Sequence, residues 1–455
     1  MTGALGRELA RLAGDDAVVP VETRWLQDAT ETRGVRGRAD AVVLPETTDA
    51  VAAVLEWCYE RGVPVTPRGG GTGYAGGAVP TEGGVVLGLE RLRGVRLFEP
   101  LLWRAELEAG LTTATVRRLA RENGLLFPPD PGAAEQSQLG GNVATNAGGP
   151  HALKYGVTRE WVTGLEVVVP PGDVVRIGGP FRKDVAGYDL GSLLVGSEGT
   201  LGIVTAGWLR FVPAPAAAVP VVAAYPDTAR GCAAVEYVLG SGCVPAALEF
   251  VDAAALRLVG AGLPLRLPEG AGFLVLAEAD GEAEEASREA GAIAEALAEG
   301  ALAVERLAAG AESESVWRWR SGISLAVATA RGGKASEDVV VPVDRLAEAI
   351  ERVFAIGRRH GLEACSWGHA GDGNLHATFL VDRADPDALA RAADAADDLF
   401  ALAVELGGSI SGEHGIGSVK AGQLGAQWPD RTLELHAGVK RVFDPKGLLN
   451  PGKKR

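Results

Sequence analysis

The sequence predicts an α+β fold with more than one domain. Its 455 residues exceed the usual size of a single domain and are enough for a sizeable core. Helical and strand patterns both recur along the chain, and three glycine-rich stretches, 69–88, 140–149 and 196–202, lie among the strands. Glycine lets a ligand approach the backbone closely, so loops of this kind indicate a ligand that runs along several turns.

The first half contains helices and strands whose ends are marked by capping and turn residues. PETTDAVAAVLEWCYERG predicts a helix that is capped by Thr47 or Thr48 and ends at Gly62, and the following VPVTPR predicts a strand. TTATVRRLARENG predicts a second helix, which ends at Gly124. LEVVVPPGDVVRIG predicts two strands joined by a Pro-Gly-Asp turn.

The pattern changes after VPAPAAAVP (212–220), where longer helices are predicted near 281–299, 344–360 and 387–406. Strands at 362–368 and 375–381 between the last two helices predict a small α+β sandwich. The final FDPKGLLNPGKKR is turn-rich and is interpreted as a tail laid over another surface. We therefore expect a domain over 1–213 with its core at about 40–213, a second domain over 214–408, and a C-terminal segment over 409–455.

Composition excludes several classes of function. The net charge of -15 argues against a nucleic-acid partner, because phosphate binding needs concentrated Lys and Arg. The four cysteines form no CxxC pair, which argues against a zinc ribbon or an iron–sulfur cluster and suits a reducing compartment. The sequence lacks a run of about 18 apolar residues, so we expect no membrane span, while peripheral attachment stays open.

PRGGGTGYAGGAVP (67–80) contains a formal G-x-G-x-x-G at Gly71, Gly73 and Gly76. A Rossmann nucleotide site needs a helix directly after this motif, and Gly77 and Pro80 oppose one. Consecutive backbone N–H groups in such a loop can still bind a diphosphate. The alternative is a flexible surface loop.

Half of the six histidines lie in two glycine-framed segments. His369 and His376 flank AGDGN, a turn that would bring them onto facing strands, and SISGEHGIG places Glu413 and His414 together. Two histidines and one carboxylate form a common open site for a divalent metal. The alternative is that these are ordinary polar residues at turns.

In their order and spacing, the three glycine-rich segments resemble the FAD-binding domain of the vanillyl-alcohol oxidase superfamily. They read PRGGGTGYAGGAVP, PPDPGAAEQSQLGGNVATNAGGPHALKYG and GYDLGSLLVGSEGTLGIVT. With the histidine motifs, the resemblance narrows to the FAD-linked 2-hydroxy-acid dehydrogenases: glycolate oxidase flavin subunit, D-lactate dehydrogenase and D-2-hydroxyglutarate dehydrogenase. It extends from about residue 40 to Lys453. It implies a two-subdomain FAD-binding domain of the p-cresol methylhydroxylase (PCMH) type, a ferredoxin-like α+β substrate (cap) domain, and a C-terminal segment that returns to the FAD domain.

The resemblance also implies which residues hold FAD. The diphosphate would lie on the first segment, the ribityl chain and ring on the second, and the adenine and ring pocket would be completed by the third. The implied residues are Arg68, Gly69, Gly70, Gly71, Thr72, Gly73, Tyr74, Pro131, Gly140, Gly141, Asn142, Thr145, Asn146, Glu198, Gly199 and Ile203. Since 68–73 contains neither His nor Cys, we expect the FAD to be bound non-covalently.

The resemblance assigns the metal to His369, His376 and Glu413, and the general base to His414. Zinc is expected, with manganese or iron as alternatives. Arg320, three residues after Trp317 in a W-x-x-R motif, would bind the substrate carboxylate, and Asn374 would hydrogen-bond the substrate. Hydride would pass from Cα to flavin N5 while His414 accepts the hydroxyl proton.

The substrate is expected to be a monocarboxylate such as D-lactate or glycolate. Relatives specific for longer diacids carry a Tyr-Lys-Tyr-type segment where this chain has GGKASEDVVVP, in which Lys334 is offset. Arg318 and Lys334 remain candidates for binding a distal charge. Lys420, after the Glu-His motif, is interpreted either as a solvated surface charge or as a group near the flavin.

Oxidation of D-2-hydroxyglutarate is one alternative function, and two further alternatives stay open. One is a transferase resembling alkyldihydroxyacetonephosphate synthase, and the other is a flavin subunit that works only within a multi-protein glycolate oxidase. The expected partners are a 2-hydroxy acid and an electron acceptor, which is a quinone, an electron-transfer flavoprotein or an Fe–S subunit; a homodimer is also open. We expect a cytoplasmic protein, with peripheral contact at the inner face of the membrane as an option.

Overall fold

The computed structural model describes residues 3–30, 35–330 and 332–454. The chain forms two compact units. The first comprises Met1–Gly148, Val157–Ala214 and Glu413–Arg455, and the second comprises Gly149–Gly156 and Pro215–Gly412. None of the helices in the described ranges is long and apolar enough to cross a membrane.

The strands are numbered in chain order. They are β1 (Val18–Val19), β2 (Ala41–Val43), β3 (Val65–Arg68), β4 (Val85–Gly88), β5 (Val95–Glu99), β6 (Arg104–Glu108), β7 (Leu125–Leu126), β8 (Val162–Val169), β9 (Asp173–Gly178), β10 (Ile203–Arg210), β11 (Val212–Pro213), β12 (Ala217–Tyr225), β13 (Ala247–Asp252), β14 (Phe273–Gly281), β15 (Ala303–Arg306), β16 (Lys334–Val340), β17 (Ala364–His369) and β18 (Asn374–Leu380).

The α-helices are numbered in the same way. They are α1 (Ala4–Ala13), α2 (Thr48–Glu60), α3 (Thr113–Arg121), α4 (Leu139–Thr145), α5 (Ala152–Tyr155), α6 (Leu190–Leu194), α7 (Thr228–Gly240), α8 (Ala253–Val259), α9 (Ala283–Ala296), α10 (Ala311–Ala330), α11 (Leu346–Arg359), α12 (Pro386–Glu405), α13 (Leu424–Gln427) and α14 (Asp430–Phe443).

The first unit contains a four-stranded sheet, a five-stranded sheet and a two-stranded sheet of β7 and β11. The four-stranded sheet has the order β1-β2-β4-β3, and β4 pairs in parallel with both β2 and β3. The five-stranded sheet is antiparallel in the order β5-β6-β10-β8-β9. A buried apolar cluster joins α1 and α2 to the strands, and it includes Cys58.

The helix cap predicted at Thr47 is confirmed, and α3 begins with a cap of the same kind. The Thr47 side chain accepts the N–H of Ala50 at the start of α2, and the Thr112 side chain accepts the N–H of Thr115 at the start of α3. These bonds satisfy N–H groups that lack a partner within the helix, which explains why both helices begin there.

The C-terminal segment packs within the first unit. Leu449, which is fully buried, pairs with Val65 of β3, and the Asn450 N–H donates to the Val65 carbonyl over 2.7 Å. The ammonium group of Lys440 donates to the Thr200 carbonyl over 2.6 Å. The last residues therefore hold the strand that leads into the first glycine-rich loop.

The second unit is built on one seven-stranded antiparallel sheet of order β15-β12-β14-β13-β17-β18-β16. A buried cluster joins side chains of β13, β14 and β17 to α8 and α10. Helices predicted at 281–299, 344–360 and 387–406 are found at α9, α11 and α12, and the strands predicted around the histidine turn are β17 and β18. The α+β prediction is thus confirmed.

A short segment from the first half of the sequence also belongs to the second unit. Around α5, the His151 ring nitrogen Nε2 lies 3.0 Å from Glu278 Oε1, and Lys154 Nζ lies 2.5 Å from Asp280 Oδ1. Both carboxylates are on β14, so these ion pairs fasten 149–156 to the sheet.

Candidate active site

The first glycine-rich loop begins directly after β3 and depends on glycine at several positions. Gly71 and Gly76 have φ angles of 69° and 74°, which residues with a Cβ rarely adopt. A Cβ on Gly70 would lie 2.1 Å from the carbonyl oxygen of Gln136, so this approach of two backbones also requires glycine. The loop is therefore a fixed turn structure, which weighs against the alternative of a flexible surface loop.

The glycine-rich loops fit a flavin dinucleotide because part of their backbone stays open to a ligand. A Cβ built on Gly73 or on Gly141 would meet no heavy atom within 4 Å. Backbone N–H groups in glycine-rich turns can bind phosphate oxygens. Arg68, which ends β3, is buried and donates to the Ala78 carbonyl over 3.2 Å. This bond links the start of the loop to its later part.

The second segment forms α4 and its flanks. Gly140 packs closely on Ala109, since a Cβ there would lie 2.8 Å from the Ala109 Cβ. The Asn142 side chain donates to Thr113 Oγ1 over 2.6 Å, and Asn146, with φ of 55°, accepts the N–H of Arg159 over 2.9 Å. Thr145 donates to the Gly141 carbonyl, and Pro131 is half-buried in the loop before the helix. The asparagines thus fix the backbone around the open Gly141.

In the third segment, Glu198 fastens the Glu-His motif. It has φ of 54°, and its carboxylate accepts the N–H groups of Ile416 and Gly417 over 2.9 and 2.6 Å. Gly199 follows with φ of 68°, and Ile203 is buried in the apolar core. The side chains of Glu198 and Ile203 therefore support the site structurally.

His414 lies against the first glycine-rich loop. Its ring centroid is 4.7 Å from that of Tyr74, with 31° between the planes, and its Nε2 lies 3.8 Å from Glu413 Oε1. Both His414 and Glu413 are partly exposed. A ring held in this way beside the loop can accept a proton from a ligand bound there.

The β17–β18 hairpin places the other two histidines together. His369 pairs with Asn374 and Trp367 pairs with His376, so His369, Asn374 and His376 share one face of the sheet. The two imidazole centroids are 5.3 Å apart and nearly perpendicular. All three side chains are buried.

His369, His376 and Glu413 offer ligand atoms that lie within 4.8 Å of one another. Glu413 comes directly after Gly412, whose N–H donates to the buried carboxylate of Asp338 over 2.6 Å. His369 Nδ1 lies 2.6 Å from Glu249 Oε1, which leaves Nε2 as the ligand atom. Two imidazoles and one carboxylate are a donor set that suits zinc, manganese or iron(II), so the residues fit a divalent metal.

Arg320, from α10, reaches the same face and is ion-paired there. Its Nε donates to Glu249 Oε2 over 2.6 Å, and its Nη2 is against the same oxygen. Burial would raise the pKa of Glu249, but Arg320 and His369 hold it below its ordinary value. Arg320 therefore pairs with Glu249 through the Nε–Nη2 edge of its guanidinium.

Asn374 carries a buried atom suited to a ligand. Its Nδ2 donates to the Val339 carbonyl over 3.3 Å, while its Oδ1 is buried without a hydrogen-bond partner. Buried polar atoms are nearly always paired, so an exception beside two histidines indicates a binding group.

Two lysines differ from surface charges. Burial lowers the pKa of Lys334 to about 8, and its Nζ donates to Ser324 Oγ over 2.6 Å. Lys420 is almost completely buried, so its interpretation as a solvated surface charge is wrong.

The sequence did not identify Glu249, Asp338 or Ser324. One signal was available, because Glu249 interrupts the apolar run AALEFV, and an acid inside such a strand is typical of a buried, paired carboxylate. Asp338 and Ser324 lie in segments of mixed polarity that carry no comparable signal.

Comparison with known proteins identifies the family of both parts of the chain. Residues 39–178 match the family described as FAD binding domain, and residues 214–454 match FAD linked oxidases, C-terminal domain. These matches define the class of protein, an FAD-dependent oxidoreductase. The chain belongs to the FAD-linked oxidase family.

Three curated relatives span most of the chain. Glycolate oxidase subunit GlcD of Bacillus subtilis is 37% identical over 91% of this chain and 88% of its own length. D-lactate dehydrogenase of Anaerostipes hadrus is 35% identical over 92% and 90%. Mitochondrial D-2-hydroxyglutarate dehydrogenase of Bos taurus is 33% identical over 95% and 79%.

Solved structures share the fold at lower identity. p-Cresol methylhydroxylase with bound substrate has a TM-score of 0.79 at 18% identity, covering 98% of this chain and 95% of that chain. Alkyldihydroxyacetonephosphate synthase has a TM-score of 0.72 at 18% identity, covering 92% and 76%. At this identity the likeness concerns the fold alone, and it confirms the predicted p-cresol methylhydroxylase type.

Proposed function

We propose that this protein oxidises a small 2-hydroxy acid to the 2-oxo acid, with D-lactate or glycolate as the favoured substrate. The observation that carries the proposal is the cluster of His369, His376 and Glu413, whose ligand atoms lie within 4.8 Å of one another. The names of the glycolate and D-lactate relatives support the same chemistry. A 2-hydroxy acid suits such a cluster because its hydroxyl and carboxylate oxygens can both bind one divalent cation.

Each residue of the candidate site has a separate proposed role. When bound, FAD supplies a two-electron acceptor and a divalent cation lowers the pKa of the substrate hydroxyl. His369, His376 and Glu413 would hold the cation, zinc in the first instance. The Arg320 guanidinium would bind the substrate carboxylate, and Asn374 Oδ1 would accept a substrate hydrogen bond. His414 would take the hydroxyl proton.

The FAD is proposed to be non-covalent and to be held by the glycine-rich loops. The open backbone at Gly73 and Gly141 supports this placement. A covalent link would need a nucleophilic side chain at the isoalloxazine, and residues 68–73 contain neither His nor Cys. Precipitation with acid should therefore release the yellow flavin into the supernatant, and flavin that stays with the pellet would contradict the non-covalent assignment.

A diacid is the alternative substrate. Lys334 is buried. It lies on β16 four residues before Asp338, and Asp338 pairs with His376, so Lys334 and His376 share one face of the sheet. An ammonium group there could bind a distal carboxylate, whereas Arg318 is exposed. If D-2-hydroxyglutarate is the substrate, Lys334→Met should raise its KM and leave D-lactate unaffected.

Reduced flavin must pass its two electrons on. A quinone, an electron-transfer flavoprotein or an Fe–S partner subunit are the proposed acceptors, and the subunit name of the GlcD relatives favours assembly with partners. The four cysteines are free thiols, which supports a reducing compartment such as the cytoplasm.

The test is anaerobic flavin reduction. FAD-loaded protein is mixed with D-lactate, L-lactate, glycolate or D-2-hydroxyglutarate, and loss of the yellow flavin absorption is followed before and after chelation of metal. We expect bleaching by at least one of these acids and loss of the rate after chelation. If none bleaches the flavin, the proposed function is wrong; if chelation and His369→Ala both leave the rate unchanged, the metal assignment is wrong.

A further inference from the structure

Glu249 is a fully buried carboxylate placed between the two groups that the proposed function uses on this sheet. Its Oε1 lies 2.6 Å from His369 Nδ1, and its Oε2 accepts the Nε–H of Arg320 over 2.6 Å. Each carboxylate oxygen therefore has a different partner. One partner is a ligand of the metal cluster and the other is the candidate carboxylate anchor.

The sheet register fixes this arrangement. Glu249 on β13 is directly opposite His369 on β17, so the two side chains leave the same face of adjacent strands. Arg320 comes from the middle of α10, a helix that packs on this part of the sheet through Val316 and Ile323. Strand pairing and helix packing thus bring the three groups together before any ligand binds.

A carboxylate at this position has two physical effects. By accepting a hydrogen bond from Nδ1–H, it selects the histidine tautomer that carries its lone pair on Nε2, and it fixes the ring plane. By pairing with Arg320, it holds the guanidinium in one orientation and balances its buried charge. Removing the carboxylate would release both groups.

We propose that Glu249 is a positioning residue that couples the metal site to the carboxylate anchor, so that one side chain sets both metal affinity and substrate-carboxylate affinity. The assignment of His369 and Arg320 to these roles rests on the proposed function. The hydrogen bonds to Glu249 do not.

The main test is a metal titration that does not depend on activity. Full-length, FAD-loaded protein is stripped with a chelator and titrated with Zn²⁺ by calorimetry, and with Co²⁺ by its visible absorption. Glu249→Gln should weaken binding of both ions by roughly 10–100-fold, because the amide retains one acceptor but presents N–H groups to a partner that itself donates.

The matched control is Glu278→Gln. Glu278 is also buried on this face of the sheet, and it binds His151 and Trp317 but neither His369 nor Arg320. This variant should bind both ions within about twofold of the unchanged protein, since it alters no group at the cluster. Equal losses in the two variants, or unchanged affinity in Glu249→Gln, would overturn the proposal.

The coupling is tested separately at saturating metal. With the 2-hydroxy acid that bleaches the flavin, Glu249→Gln should still show at least a tenfold higher apparent Kd for substrate, because Arg320 is no longer held. A Kd restored by saturating metal would mean that Glu249 serves the metal ligand alone, and the coupling would be wrong. If no acid bleaches the flavin but the Zn²⁺ titration behaves as expected, the proposed function fails and the positioning of His369 stands.

A further measurement needs no substitution at Glu249. In metal-free protein labelled with ¹⁵N-histidine, the His369 resonances, assigned by comparison with His369→Ala, should show the Nδ1–H tautomer. An Nε2–H tautomer would contradict the hydrogen bond to Glu249, and with it the proposal.

Discussion

At the scale of single residues, Asn374 is informative because only one of the two polar atoms of its side-chain amide forms a hydrogen bond within the protein. The Nδ2 group bonds the Val339 carbonyl, whereas Oδ1 is buried without a partner. Buried polar atoms are usually paired by the protein, by water or by a ligand, so the position of Oδ1 beside two histidines makes it a candidate for a ligand hydrogen bond.

We therefore expect Asn374→Ala to affect catalysis more than stability. Loss of a ligand hydrogen bond in a buried site should lower kcat/KM for flavin reduction by roughly 10–100-fold, corresponding to about 1–3 kcal/mol. The melting temperature should change little, since only the bond to Val339 is lost. Asn123→Ala, which removes a similar amide-to-carbonyl bond at the surface, is the control. A kcat/KM equal in the two variants would contradict a ligand role for Asn374.

Lys334 gives a prediction with a defined pH range. Burial lowers the pKa of its ammonium group to about 8 from 10.5. Below pH 8 both the folded and unfolded chains carry the proton, so the cost of burying the charge is fully present. Between pH 8 and 10.5 the unfolded chain binds more protons than the folded one, so the stability contributed by this group rises with pH.

Lys334→Met should accordingly raise the free energy of unfolding by about 2–3 kcal/mol at pH 7, and this gain should shrink as pH approaches 10.5. Urea unfolding at pH 7 and pH 10 measures both values. Lys183→Met removes an exposed charge and should stay within about 0.5 kcal/mol at either pH. A gain that is the same at both pH values would show that packing, and not the buried charge, is responsible.

The candidate site residues differed in how far the sequence could identify them. His369, His376, Glu413 and His414 are rare residue types framed by glycines, so their pattern is visible in the chain itself. Glu249 is one acid among many, and nothing in its local sequence says that it faces His369. That fact depends on strand pairing across more than a hundred residues, which local pattern does not encode.

At the scale of elements, the β17–β18 hairpin depends on the glycine at the end of its turn. Gly373 has φ of 76°, and a Cβ there would lie 1.9 Å from the Val341 carbonyl oxygen. The position therefore combines a left-handed backbone with a close approach to a neighbouring strand end. Both conditions act on the distance between His369 and His376.

Gly373→Ala should lower the free energy of unfolding by more than about 2 kcal/mol and abolish stoichiometric Zn²⁺ binding. Gly361→Ala is the control, since Gly361 has a φ of 65° but open space around it, and it should cost only about 1–2 kcal/mol. Urea unfolding of both variants measures the cost of backbone strain at the glycine. Calorimetric Zn²⁺ titration of both variants shows whether the histidines have been displaced. Full Zn²⁺ binding in Gly373→Ala would show that the turn does not set the histidine geometry.

Helix α4 allows a prediction in which stability and cofactor binding change in opposite directions. Gly141 lies inside this helix, where Ala is favoured over Gly by roughly 0.5–1 kcal/mol, and its Cβ would meet nothing in the protein. Gly141→Ala should therefore stabilise the FAD-free protein and weaken FAD binding by about tenfold or more.

Melting curves of FAD-free protein and a fluorescence titration with FAD measure the two effects of Gly141→Ala. Gly438→Ala in α14 supplies the same helical gain away from the glycine-rich loops, and it should leave FAD affinity unchanged. If Gly141→Ala binds FAD as tightly as Gly438→Ala does, the flavin does not lie against this face of α4.

Element prediction succeeded where a capping residue marked the start of a helix, as at Thr47. It missed α10, because its sequence mixes Trp, Arg and Ser without a clear apolar stripe, although the helix spans 20 residues. It also missed α4, since two glycines in seven residues oppose a helix. That helix is stabilised instead by close packing of Gly140 on Ala109 and by Asn146 in the left-handed conformation at its end.

At the scale of the whole molecule, the C-terminal segment is part of the first unit's core. Leu449 is fully buried in the apolar cluster and pairs with Val65, which leads through β3 into the first glycine-rich loop. The sequence indicated a tail laid over another surface, but the partner strand could not be inferred, because the contact joins residues almost four hundred positions apart.

Leu449→Ala should lower the free energy of unfolding by about 2–5 kcal/mol and weaken FAD binding, since the strand before the loop loses its packing. Leu435→Ala removes the same side chain from an exposed position of α14 and should stay within about 0.5 kcal/mol. Thermal unfolding with and without added FAD gives both quantities. An unchanged FAD affinity in Leu449→Ala would show that the packing of the C-terminal segment does not affect FAD binding.

The carboxylate of Glu198 has a consequence for the order in which the protein is made. On the ribosome, the glycine-rich loops emerge early, whereas Ile416 and Gly417, which bind Glu198, emerge only after the whole of Pro215–Gly412. More than two hundred residues are therefore synthesised after Glu198 before the segment that binds its carboxylate is made. A chain that stalls within the second unit carries neither Glu413 nor His414, so premature termination yields a protein without two residues of the candidate site.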